Sequence, residues 1–156
     1  MNSLMKEELA PVREFARRMR VLSLAVVESG VPHAAPLYYA CNDQLRPVFL
    51  SRPEARHAQA VSSGAEVAFD IFEDPGDILR IRGIQGRGHC RRLEAGEDRP
   101  ARKLYESVYP LARLPAILRG QWGSFAAYEI CPSWICWTDN TLGFSRKREW
   151  TFGEEG

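Results

Sequence analysis

The sequence predicts a mainly β (α+β) fold: a small, largely antiparallel β-barrel of about seven strands with peripheral helices. Three observations carry that prediction. Short runs rich in β-branched and aromatic residues recur along the chain, turn residues separate them at hairpin length, and only three stretches have helical spacing. Hairpin-length connections favour antiparallel pairing, and closing the sheet into a barrel removes its exposed edges. The 156 residues suit one domain over 1–156. At this size folding buries roughly 68–70% of the unfolded surface, enough for a core without disulfides or metal.

Residues 4–19 have helical spacing, with Met5, Leu9, Val12, Ala16 and Met19 separated by fours and threes. Pro11 either kinks that helix or marks where its regular part begins, since proline is tolerated in a first turn. Residues 21–28 and 33–40 read as strands joined at Ser29-Gly30, and residues 45–51 as a third strand after Asn42-Asp43-Gln44. Pro36 and Pro47 suggest edge positions or bulges in these strands. A helix is expected over 53–63, with Pro53 at its first position and Gly64 beyond its end. Strands follow at 66–72 and 78–94, the second bent by glycines. A further helix is expected over 99–109, and the tail returns to strands at 124–130, 133–138 and 148–152.

Composition narrows the function. Net charge is +1 and the charged fraction 26%, against bulk binding of nucleic acid or anionic membrane. Arginine nonetheless outnumbers lysine 18 to 3. Codon preference explains such a surplus, and so does bidentate binding of an anion. Four scattered cysteines do not make a disulfide framework, and no run approaches the roughly 20 apolar residues that span a bilayer. The Val21–Val27 run is short, lies behind an Arg-rich segment and ends at Glu28 without a cleavage site, so a cytoplasmic location is expected.

The chemistry concentrates in Phe49-Leu50-Ser51-Arg52-Pro53-Glu54-Ala55-Arg56-His57. A strand ending at Ser51 and a helix opening at Pro53 aim free N–H groups past the strand end, where an anion is favoured. Ser51, Arg56 and His57 add donor side chains, a plausible cradle for a phosphate; an ordinary helix start with solvated side chains is the plainer alternative. The glycines of Arg82-Gly83-Ile84-Gln85-Gly86-Arg87-Gly88 run in the order G-x-x-G-x-G, and a strand follows them. They mark a bulge or barrel corner, not a dinucleotide fingerprint. Cys131 and Cys136 fall on opposite faces of a strand, His89 and Cys90 diverge, and no metal site is expected. Trp134 and Cys136 share one face of the 133–138 strand, Ile135 and Trp137 the other. One face is then core and the other meets a partner or planar ligand, or merely scatters on the surface.

The order helix, VLSLAVVESGVPHAAPLYYACND, PVFLSRPEARHAQAV, LRIRGIQGRGHCRRLE resembles the pyridoxamine 5'-phosphate oxidase-like FMN-binding split-barrel superfamily. The ending SWICWTDNTLGFSRKREW is similar to its YhbP-like branch, as is IRGIQ-x-x-G. The resemblance covers residues 5–152 and implies a split-barrel homodimer with FMN at the subunit interface. It implies that the backbone of Ala35, Pro36, Leu37 and Tyr38 meets the flavin ring, and it adds Gln85 to the cofactor residues. The family's Thr…Ser-Arg-Lys phosphate pattern maps onto Ser51, Ala55, Arg56 and His57. The chain departs from it at Ala55 and His57, and at Ala40, where a further family lysine falls. The oxidase's Arg-Leu-His substrate motif falls on Phe144-Ser145-Arg146, so pyridoxamine phosphate oxidation is not expected.

Three functions follow from the resemblance: an FMN-dependent oxidoreductase on a small molecule, a non-catalytic flavin or haem carrier, and a cofactor-free dimer. His33, His57 and His89 are the candidate haem ligands. No side chain is nominated as catalytic acid or base.

Overall fold

The computed structural model describes residues 3–153; residues 1–2 and 154–156, at the ends of the expected N-terminal helix (1–20) and C-terminal tail (139–156), lie outside the described residues. The N-terminal stretch forms two helices, α1 (Ser3–Glu8) and α2 (Ala10–Arg18). Pro11 sits in the first turn of α2, where its missing N–H removes no helical bond. Leu9, Val12, Phe15 and Ala16 are buried on one side.

Eight strands form one antiparallel sheet: β1 (Val21–Glu28), β2 (Val31–Tyr38), β3 (Ala40–Cys41), β4 (Pro47–Ser51), β5 (Ala65–Glu73), β6 (Arg82–Arg92), β7 (Ala126–Asp139) and β8 (Lys147–Thr151). Their order is β2-β1-β5-β6-β7-β4-β3, with β8 on β7. The sheet curls until β2 comes against β4 without pairing to it, and a short helix, α3 (Arg56–Ala60), leans on β1 and β2 at that gap. The result is a split half-barrel of the mainly β (α+β) class. Pro36 lies on the edge strand β2, where no ladder bond is lost.

Alternation assigns the two faces. Leu22, Leu24 and Val26 of β1, Val67, Phe69 and Ile71 of β5, and Ile84 and Cys90 of β6 are buried in the core. Directly opposite Leu22, Leu24 and Val26 stand Leu37, Ala35 and His33 of β2, which therefore share the inner face. Each fully buried aliphatic side chain contributes roughly 1.5–3 kcal/mol. A smaller cluster of Val48, Leu93, Ala101 and Ala127 lies under α4 (Asp98–Val108).

Three expectations need correction. The 53–63 helix shrinks to α3, because Arg52–Ala55 forms a turn closed by Ala55 N–H donating to Arg52 O at 3.0 Å. Pro53 takes the second turn position, which suits its fixed φ as well as a helix start does. The strands at 124–130 and 133–138 are one 14-residue strand, β7. Its register against β6 shifts at Arg87/Gly88, and Pro132 stands opposite Gly88 in place of a break. The residue span 78–94 yields a strand only from Arg82; Ile78–Arg80 is a 3-10 turn capped by Asp77, which accepts from Leu79 N–H at 2.9 Å. Between α4 and β7, where the sequence offers no assignment, lie 3-10 turns and a fifth helix, α5 (Ala116–Gly120).

The glycines of β6 have packing reasons. A Cβ at Gly86 would collide with the Phe69 ring, and one at Gly88 with the Cys131 carbonyl at the bulge. The TDNTLGF motif is structural as well. Asn140 donates through its backbone N–H to Ile81 O at 3.0 Å and through Nδ2 to Ile78 O at 3.1 Å. It also accepts from Ser145 N–H at 3.1 Å, so one residue ties its own loop to the turn before β6. No described helix is long and apolar enough to cross a membrane.

Candidate functional site

The end of β4 opens at the gap between β2 and β4. Phe49 and Ser51 point inward, and Phe49 stacks on Tyr128 of β7 at 5.1 Å between centroids. Ser51 is buried, 7% exposed, and its hydroxyl shares a 2.8 Å hydrogen bond with His57 Nε2. His57 also tilts against Phe49 at 6.2 Å. Burial, and then the nearby His33 imidazole, hold His57 below its ordinary pKa, so the ring is neutral near pH 7. His33 comes from the inner face of β2, and its influence on His57 puts the β2 edge and the β4–α3 junction at one place.

Arg56 begins α3 and is exposed, with Glu28 of β1 3.8 Å from its Nε. At that separation the pair is loose and solvated, leaving most of the guanidinium donors available. The helix-terminus contribution expected from Pro53 is absent: α3 has five residues, Ala55 gives no side-chain cap, and its N–H is engaged in the turn. An anion here would be held by side chains, with Ser51 and His57 as neutral hydrogen-bonding groups and Arg56 as the cation. That donor set fits one phosphate monoester.

The other predicted residues divide between the faces. Ala35 and Leu37 are half-buried on the inner face beside this mouth, whereas Pro36 and Tyr38 are exposed on the outer face. Ala40 is buried in β3 and Ala55 packs against the core, so neither presents a polar group. Gln85 is exposed on the outer face of β6, between Asp70 of β5 and Cys136 of β7. A single chain therefore does not bring Gln85 together with Ser51 and His57. His89 is also on that face, 3.1 Å from Glu66, away from His33 and His57.

The outer face has its own features. Oδ1 of Asp70 is buried without a hydrogen-bond partner, next to Ser23 and Gln85 in the ladder. Arg87 stacks over the Trp134 ring at 4.6 Å, and Trp134 Nε1 donates to Glu149 at 3.2 Å. Trp137 and Trp150 are core residues. Arg82 is structural, donating from Nε to Glu73 at 2.7 Å. Among the described residues no group of three or more potential ligands is arranged to hold a metal ion.

Sequence reasoning missed Arg52. It donates to Gln121 and lies over the Phe125 ring at 5.9 Å. Its position directly after Ser51 was the available signal; its aromatic support comes from some 70 residues away and leaves no local pattern.

No family model matches the chain. Among curated proteins it is 33% identical over 148 residues to the UPF0306 protein YhbP of Escherichia coli O157:H7, covering 94% of this chain and 95% of that one. It is 34% identical over 149 residues to a UPF0306 protein of Enterobacter sp. strain 638, covering 95% and 99%. A haem-binding protein from Mycobacterium smegmatis has a similar fold, with TM-score 0.73 and 19% identity over 97% of this chain and 59% of that one. So does an FAD-binding protein from Mesorhizobium loti, with TM-score 0.61 and 17% identity over 86% and 92%. The structural likenesses speak to the fold alone. The sequence relatives, aligned over nearly the whole chain, show that it belongs to the UPF0306 family that includes YhbP.

Proposed function

We propose that this protein is a flavin-binding split-barrel protein that serves as an oxidoreductase for a small molecule, with the flavin's 5'-phosphate held at Ser51, Arg56 and His57. The observation that carries the reading is the Ser51–His57 pair, buried at a barrel mouth beside the free edge of β2 and accompanied by an exposed arginine. Structurally similar proteins whose names record FAD or haem binding support the same reading. The flavin would supply hydride and electron transfer. This chain's part is binding and orientation: Arg56 meets the phosphate charge, Ser51 and His57 fix its position, and the backbone of Ala35–Tyr38 offers edge groups to the ring. FMN is the smallest flavin that carries the phosphate this donor set would hold.

The reading includes a homodimer. Gln85 stands on the opposite face from Ser51, so a site that uses both needs two copies, one presenting its β2–α3 mouth to the other's outer face. The unpartnered Asp70 oxygen beside Gln85 supports burial of that face.

Titration of the purified protein with FMN and riboflavin tests the proposal. FMN binding at least tenfold tighter than riboflavin, with the difference lost in Arg56→Ala, is expected from charge-assisted hydrogen bonds worth about 1.5–3 kcal/mol. Absence of flavin binding overturns it. A second reading, haem, is favoured by the adjacency of His33 and His57. A Soret band on haem addition that is lost in His33→Ala would select it.

A further inference from the structure

A cavity of about 1070 Å³ opens between α1, α2, the β3–β4 turn, the β6–β7 bulge and the chain just after β8. It lies further along β6 than Gln85, and Ser51, Arg56 and His57 are not on its walls. Among the described residues, four cationic side chains and two carboxylates line it. Both carboxylates are already engaged: Asp43 pairs with Arg17, and Glu66 Oε1 lies 3.1 Å from His89 Nδ1. Lys6, Arg13 and Arg46 remain. Arg46 meets Glu129 only at 3.7 Å, and the same carboxylate oxygen accepts from the Cys131 thiol at 3.6 Å. Even with Glu129 set against Arg46, the walls stay cationic.

The walls are held in place. Asn42 Oδ1 accepts from Gln44 N–H at 2.9 Å and from Arg46 N–H at 3.0 Å, which closes the turn that carries Arg46. Arg13 Nη1 donates to Lys6 O at 2.9 Å and ties α2 to α1. On the other side, the bulge leaves Ser133 without a ladder partner on β6, between Pro132 and Trp134. Phe152 N–H donates to Ser133 O at 2.9 Å, so the chain after β8 is fastened to the bulge. Pro132 and Phe152, with Met5 of α1, give the cavity an apolar side, and the half-exposed Cys131 lies on the same wall.

A concave surface with a surplus of positive charge concentrates anions. A guanidinium takes a carboxylate through its fork of donors, and an apolar wall beside it favours a hydrocarbon body over water. We infer that this cavity is a second ligand site, for a small organic acid. Arg46, Arg13 and Lys6 face its carboxylate, and Met5, Pro132 and Phe152 receive its aromatic or aliphatic body. The inference shares no residue with the flavin reading and does not depend on it.

The test uses three probes on the full chain by titration calorimetry: 2-naphthoate, its uncharged counterpart 2-naphthamide, and inorganic phosphate. Naphthoate should bind at least about tenfold more tightly than naphthamide, as a charge-assisted pair predicts. Arg46→Gln should remove most of that difference, and Lys6→Glu, exposed on α1, should weaken naphthoate in the same direction. Lys6→Glu carries the test if Arg46→Gln fails to fold by circular dichroism. Saturating naphthoate should also protect Cys131 from iodoacetamide at pH 8, which places the ligand in this cavity. Absence of naphthoate binding, equal affinity for naphthamide or phosphate, an affinity unmoved by the substitutions, or an unprotected Cys131 would each overturn the inference. All of these outcomes leave Ser51, Arg56 and His57 untouched.

Discussion

The inner and outer faces of the sheet are built from alternating residues of the same strands, yet they differ in what they leave unfinished. Along β1 and β2 the inner face presents Leu22–Leu37, Leu24–Ala35 and Val26–His33, continuous with the core until it ends in the polar mouth of His33, Ser51 and His57. The outer face presents Ser23–Pro36 and Ala25–Ala34, then Asp70, Gln85 and the Arg87–Trp134 stack. The inner face satisfies its polar groups within the chain at the mouth. The outer face holds a buried carboxylate oxygen with no partner and a run of small side chains that would let another surface approach closely. Residues one apart in sequence therefore belong to different environments, and a cofactor motif read along the chain is divided by the sheet.

The largest expected break in this comparison comes from the core side. Leu24→Ala should cost about 2–5 kcal/mol in urea unfolding, whereas its neighbour Ala25→Ser, on the outer face, should stay within about 0.5 kcal/mol. Similar losses for both would erase the distinction between the faces. Next in size, Ala68→Arg on the outer face of β5 should convert the proposed dimer to monomer in sedimentation analysis and weaken flavin binding at least tenfold. Its unfolding midpoint, measured as monomer, should change little. A variant that stays dimeric would remove the outer face from the interface.

A smaller effect concerns pH. Because burial and His33 depress the His57 pKa in the folded chain, the unfolded chain takes up that proton first as pH falls. The contribution is complete above the unfolded value of about 6.5 and is lost as pH drops below it toward the lower folded value. His57→Gln should flatten that part of a stability profile measured between pH 5 and 7.5. An unchanged profile would put the ring in solvent. The smallest effect is chemical. Burial pushes the Cys41 and Cys90 thiols up to about 12, while Cys131, on the outer face next to Cys90, is half-exposed with a less extreme upward shift. Alkylation at pH 8 should therefore label Cys131 well before Cys41 or Cys90, and the reverse order would contradict the facing of β6 and β7.

Much of the fold was legible because periodicity is a local property. The short β-branched run Val21–Glu28 predicts a strand, and a strand forms there, with Leu22, Leu24 and Val26 buried in the core. Glycines at Gly86 and Gly88 signalled a bent strand, and a bulge lies between Arg87 and Gly88. Pro53 misled because its fixed φ suits a turn and a helix start equally, and only the Ala55–Arg52 hydrogen bond decides between them. Pro132 misled in the opposite way, since a proline opposite a bulge interrupts no required ladder bond and the strand runs through. At the site, Ser51, Arg56 and His57 were visible as donors within seven residues. His33 was named with His57 and His89 only as a candidate haem ligand and not as part of the phosphate cradle, because its place beside His57 depends on strand β2, far away along the chain.

By itself the sequence determined the class of structure and the placement of most strands, and it nominated the segment proposed to hold an anion. Each of these depends on side-chain chemistry and spacing over a few residues. Only the tertiary structure decided which face each strand residue occupies relative to the mouth, that Gln85 and Ser51 stand on opposite sides, and that Arg52 meets Phe125. Those relations depend on the curl of the sheet and on the packing of residues 98–125 against it, which bring together groups that no local pattern connects.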